Sequence, residues 1–150
     1  MKKVAVLKND KGSTLVFTLA LTLVFLPISY ITLLVGYVKL VEHLAYNIAD
    51  ASALAGASQY MYVSEEEDPW KWGETTRYKA TIDEVAAEKK AKELFEDNRK
   101  TVEFFVKTVV PSYKKLSDNE YQVSVTVTYR PLYSDKDVTK TIVSQARIVV

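Results

Sequence analysis

Gly12–Val38 reads GSTLVFTLALTLVFLPISYITLLVGYV, 27 consecutive residues without a charge. As an α-helix such a run extends roughly 40 Å, more than the ~30 Å of bilayer hydrocarbon. The segment is therefore expected to span a membrane, and residues 13–38 are taken as the transmembrane helix. Pro27 and Gly36 lie inside it; both are tolerated in spanning helices, with a kink expected around residues 23–27. A secretory signal has an apolar region of about 7–15 residues with a small-residue cleavage site close behind. A pattern of that kind, Ala53-Leu54-Ala55, lies well past Lys39, Glu42 and His43, so a retained anchor is expected.

The flanks set the orientation. Lys2, Lys3, Lys8 and Lys11 stand against Asp10 before the run, whereas sixteen basic and eighteen acidic residues follow from Lys39 onward. A short lysine-rich flank stays cytoplasmic, which places the C-terminal part outside. The 150-residue chain thus divides into a cytoplasmic leader (1–12), the membrane helix (13–38), a stalk (39–60), an acidic loop (61–80) and an extracytoplasmic domain (81–150). No cysteine is present, so neither a disulfide framework nor a thiolate metal site is available to it.

Beyond the membrane the helical pattern continues to about Tyr60. Tyr37, Leu40, Val41, Leu44, Ile48, Ala51 and Ala55 share one face; Lys39, Glu42, His43, Tyr46, Asn47 and Asp50 take the other. Residues 63–77 (VSEEEDPWKWGETTR) read as a loop. Thr81-Ile82-Asp83-Glu84 has the form of a capping box, and the apolar spacing after it predicts a helix as far as Val109, before Pro111. Tyr121–Tyr129 alternates strictly, with Tyr121, Val123, Val125, Val127 and Tyr129 on one face, and reads as a strand. Residues 137–150 form a second strand, with Pro131 and Ser134-Asp135 at the turn between them. The fold class is α+β: a long N-terminal helix followed by a small domain with one further helix and an antiparallel sheet.

The N-terminal two-fifths carries a specific pattern. Lys11-Gly12 closes a basic leader, an apolar helix follows directly, and Ala49-Asp50-Ala51-Ser52-Ala53-Leu54-Ala55-Gly56-Ala57 lies beyond it. This resembles the TadE/TadG-like family of the tight-adherence (Flp-type IVb) pilus-assembly systems. The resemblance implies a pilin-like component of the cell envelope, with a candidate leader-peptidase site at Gly12 and Ser13. Its implied partners are membrane lipid, other pilus or secretion subunits, and other copies of itself. Phe17 stands where such proteins typically carry a glutamate five residues after the glycine, which brings the chain nearer the TadG-like branch.

Ala49, Ala53, Gly56 and Ala57 form a small-residue seam of the kind that lets helix backbones approach closely. Two destinations are open to it: another subunit's helix or the protein's own sheet. Trp70 and Trp72, flanking Lys71, are candidate interface residues or a lid on the core.

Enzymatic chemistry and cofactors are not expected. His43 is the sole histidine, the four glycines make no phosphate loop, and Glu65–Asp68 lacks the alternating spacing of a calcium loop. The exposed part is slightly acidic, which disfavours nucleic acid. The alternative to an assembly component is a membrane-tethered ligand-binding or sensor module. Cleavage after Gly12 would leave a chain that starts at Ser13 and has lost four lysines. Intact-mass measurement on protein from its native host distinguishes this from the full-length mass of an unprocessed anchor.

Overall fold

The computed structural model describes residues 10–64, 78–132 and 134–149. The chain divides into two units, Met1–Tyr37 and Val38–Val150. Helix α1, Asp10–Ala57, runs through both. From Thr14 to Tyr37 it is uncharged and largely exposed, with Leu15, Phe17 and Leu33 each about two-thirds accessible. It is long and apolar enough to cross a membrane. Three of its hydroxyls bond back to the helix: Thr18 donates to the Thr14 carbonyl at 2.8 Å, Thr22 to Thr18 at 2.8 Å, and Thr32 to Ile28 at 2.9 Å. An unsatisfied hydroxyl would be costly in hydrocarbon, and this back-bonding removes the problem.

The second unit is α+β. After the last turns of α1 come β1 (Tyr60–Ser64) and β2 (Tyr78–Ile82), paired antiparallel. Next are α2 (Glu84–Glu103) and an antiparallel sheet of β3 (Thr108–Ser117), β4 (Glu120–Tyr129) and β5 (Val138–Arg147), with β4 central. The alternation read for β4 holds: Tyr121, Val123, Val125, Val127 and Tyr129 are all buried. On the opposite face Thr126 and Thr128 meet Thr141 and Thr139 at 2.9 and 3.0 Å, cross-strand hydroxyl pairs that suit a solvated surface.

Three expectations are corrected. First, α1 stops at Ala57 rather than Tyr60, closed by Ser58 N–H to the Leu54 carbonyl at 2.9 Å and Gln59 N–H to Gly56 at 3.1 Å. Strands β1 and β2 overlap the two ends of the 61–80 segment taken as loop, while Glu65–Asp68, Trp70 and Trp72 lie outside the described residues.

Second, Thr81 belongs to β2, opposite Met61, and the N-cap of α2 is Asp83. The Asp83 carboxylate accepts from Val85 and Ala86 N–H at 3.1 and 3.2 Å, which satisfies two otherwise orphan donors.

Third, α2 ends at Glu103, and Thr108–Ser117 is a strand. Val102, Phe105 and Val109 fit a helical stripe, but Thr108-Val109-Val110 is β-branched and finds a ladder on β4. Lys107 N–H to the Thr128 carbonyl at 2.8 Å joins the chain to it. Pro111 sits in the edge strand, where its missing N–H is tolerated.

The buried face of α1 is also turned from the expected one. It comprises Val41, Ala45, Ile48, Ala49, Ser52, Ala53, Gly56 and Ala57, while Leu40 is 42% exposed. The sheet supplies the bulk, in its tyrosines and valines, so the helix contributes small side chains. Gly56 shows how tight the fit is: an added Cβ would overlap the Cδ1 and Cε1 atoms of the Tyr121 ring and lie 3.2 Å from Cζ. Because Tyr121 is only 1% exposed, its ring has little room to yield.

Gly→Ala inside a helix ordinarily stabilises by up to ~1 kcal/mol, whereas overpacking costs ~1–3 kcal/mol. Gly56→Ala should therefore lower the denaturation midpoint. Gly36→Ala, with nothing within 4 Å of the added Cβ, should leave it unchanged or raise it. Denaturant titrations of the full chain in detergent check both.

Candidate functional site

The surface where α1 lies against the sheet gathers the four small residues of the seam. Ala49 and Ala53 are fully buried and Ala57 is 6% exposed, so the seam packs into the protein's own domain. Of the two destinations left open by the sequence, the sheet is the one occupied. Within the single chain the surface of these four residues is covered by its own domain. Gly12 and Ser13 fall in the first turn of α1. Phe17 is 67% exposed, in the apolar stretch.

Polar contacts flank the seam. Glu42 receives Lys140 of β5 at 2.5 Å and Lys39 of its own helix at 3.1 Å. Those two ammonium groups, hydrogen-bonded to its carboxylate, hold Glu42 below the usual carboxylate range. Two turns on, Ser144 donates to Asp50 at 2.9 Å. Residues that read as a solvated polar side of the helix thus dock it to β5. Farther round, Asn47 Nδ2 and His43 Nε2 are 3.4 Å apart on the exposed side.

Two more ion clusters tie the loops. Lys107 and Arg130 share Asp137 at 2.7 and 3.0 Å, and both hydrogen bonds lower its pKa. Lys79 pairs with Asp118 at 2.8 Å, while Lys115 donates to the Ile82 carbonyl at 2.7 Å. These contacts join the β2 end to the β3–β4 turn.

The hydroxyls of Ser52, Tyr113 and Tyr121 are buried without a protein partner. Burial pushes the Tyr121 phenol up to about 12, with Glu88 and Glu84 adding to the shift. Tyr113 is raised by the same desolvation, then by Glu96. Both phenols therefore stay protonated through the physiological range. Among the described residues no group of three His, Cys, Asp or Glu side chains converges to hold a metal.

Sequence reasoning missed Tyr121 as the partner of Gly56, and Lys140 and Ser144 as the anchors of α1. The tyrosines at both ends of β4 were the available signal for the first. Nothing local announces the others, which lie 98 and 94 residues from their partners. Comparison with family models, curated proteins and solved structures found no match to this chain.

Glu42 supplies a pH test with a definite sign. Its folded pKa is depressed, so its contribution is present above its unfolded value near 4.5 and is lost as pH falls through the folded pKa. The pair is partly exposed, which limits the effect to less than about 1 kcal/mol. Glu42→Gln should reduce stability at pH 7 by that order and flatten the fall below pH 4.5, as measured by denaturant midpoints across pH.

Proposed function

We propose that this chain is a single-pass membrane protein with a cytoplasmic N-terminus. In this reading it serves as a pilin-like, TadE/TadG-like structural or assembly component of a tight-adherence type pilus or related secretion apparatus. The observation that carries it is the continuity of α1. One helix passes without a break from an exposed, uncharged stretch into a stretch laid on an antiparallel sheet. That design couples a membrane-embedded rod to an external domain, as a subunit of an envelope assembly requires.

With the seam committed to the domain core, the contacts to other subunits fall to the remaining surfaces: the apolar half of α1 and the exposed faces of the outer domain. The same burial favours a second reading, a membrane-tethered ligand-binding or sensor module, because the domain is complete along α1 without a partner. The two differ in what the apolar segment must do. Replacing residues 14–37 with an unrelated spanning helix of equal length should abolish crosslinking to other envelope subunits if the chain is an assembly component. Retained crosslinking and function would favour the tether.

The topology is tested separately. A cysteine at Ser117 should react with an impermeant thiol reagent on intact cells, or on spheroplasts where there is an outer membrane. One at Asn9 should not; labelling of Asn9 alone would overturn the orientation.

A further inference from the structure

Strand β5 is an edge strand. β4 pairs with one side of it over ten residues without a register shift, and among the described residues no strand pairs with the other side. Its outward N–H and C=O groups repeat at the spacing that another extended backbone matches. The remaining edges suit such pairing less well. β3 carries Pro111 in mid-strand and a register shift between Lys115 and Ser117, features that blunt an edge. β1 is more apolar, but it is five uncharged residues long and has no charge to fix a register.

β5 is also complementary to itself. Lys140, Ile142 and Ser144 face the helix side, opposite the buried Val127, Val125 and Val123. Two β5 strands paired antiparallel about a twofold axis keep their helix sides in common only when a residue meets its own copy at the axis. Two such registers overlap nine residues of β5, one centred on Ile142 and one on Val143. Centring on Ile142 sets Arg147 of each strand opposite Asp137 of the other, an attractive pair at both ends. It also sets Lys140 opposite Ser144, whose hydroxyl is bonded to Asp50. Centring on Val143 sets Arg147 opposite Thr139 and Asp137 opposite Val149, with no charge matched. The helix agrees with the first register. Glu42 reaches Lys140 and Asp50 reaches Ser144, so Tyr46, one turn from each and 49% exposed, stands level with Ile142. An axis through Ile142 brings both Tyr46 side chains to the centre of the pair. Aromatic and aliphatic groups at the centre with charges at the rim are the anatomy of a specific interface.

We propose that β5 pairs antiparallel with β5 of a second copy of this chain, in the register centred on Ile142. The two three-stranded sheets then join into one of six strands, with β5 and its copy at the middle. Within the second unit α1 and β5 run in the same direction, so the Val38 residues of the two copies lie at opposite ends of the pair. The contact uses the second unit alone and does not rest on the function proposed above.

The test uses full-length chains in detergent and two single-cysteine variants of this otherwise cysteine-free protein, Thr141→Cys and Val143→Cys. Both positions are exposed on the sheet face away from the helices, so neither replacement disturbs the core. In the proposed register each lies opposite the other in the second copy, at a Cα separation of about 4.5–5.5 Å, within the roughly 4.4–6.8 Å that a disulfide spans. Mild oxidation of the mixed variants should give the mixed disulfide dimer as the main product, well above the dimer that either variant forms alone. Adding Arg147→Glu to both chains should lower that yield several-fold, by setting like charges opposite each other. A dimer formed chiefly by Val143→Cys with itself would mean the other register, and would overturn the proposal. So would a yield no higher than in denaturant, or one indifferent to Arg147→Glu. A crosslink between Met61→Cys and Val63→Cys chains in place of the β5 one would show that copies meet through β1, which also overturns it.

Discussion

The close approach of α1 to β4 is the constraint on which the second unit depends. Gly56 lies where no side chain fits, directly against the Tyr121 ring, and Ala45, Ala49 and Ala53 continue that surface with fully buried methyl groups. Burial of the valines and tyrosines of β4 supplies the hydrophobic driving force, and the small residues of the helix let the two surfaces meet at core packing density. A single β-meander of three strands needs a second layer for independent stability, and α1 and α2 provide it. The helix that completes the domain also carries the segment long and apolar enough to cross a membrane.

Electrostatics refine that packing without driving it. Glu42 and Asp50 attach α1 to β5, Asp137 gathers the loops at one end, and Asp118 does so at the other. All are solvent-accessible to some degree, so each contributes modestly to stability and more to direction. They set which way the helix runs and which loops share an end. The buried Tyr121 ring adds bulk at the helix–sheet junction, and the raised pKa values of Tyr121 and the half-buried Tyr113 follow first from desolvation.

Much of this was legible in the sequence where a pattern was strong and local. The uncharged run gave the long helix, and the strict alternation from Tyr121 to Tyr129 gave β4. Errors arose where two periods coincided or where the partner was remote. Val102, Phe105 and Val109 satisfy a helical stripe, yet the ladder on β4 takes Thr108–Val110 as strand. Strands β1 and β2 are five residues each and pair across an intervening segment, too short and too separated for alternation to reveal. The inward face of α1 was misjudged because large apolar residues were taken as the core-facing ones. Here the sheet held the volume, and Leu40 and Leu54 remained exposed. The seam itself was visible as a pattern, but composition cannot say whether its partner is a neighbouring subunit or the chain's own sheet.

The central claim is that the C-terminal half of α1 packs on the sheet of its own chain. Cysteines at Asp50 and Ser144, whose side chains are hydrogen-bonded at 2.9 Å, allow a direct measurement in this otherwise cysteine-free protein. A short bifunctional thiol crosslinker is applied to the double variant in membranes, and the products are analysed by mass spectrometry after mixing isotopically light and heavy chains. The account predicts crosslinks within single chains, with monomeric products and no light–heavy pairs. Crosslinks found only between chains would show that the helix is shared with a neighbour, and would contradict it.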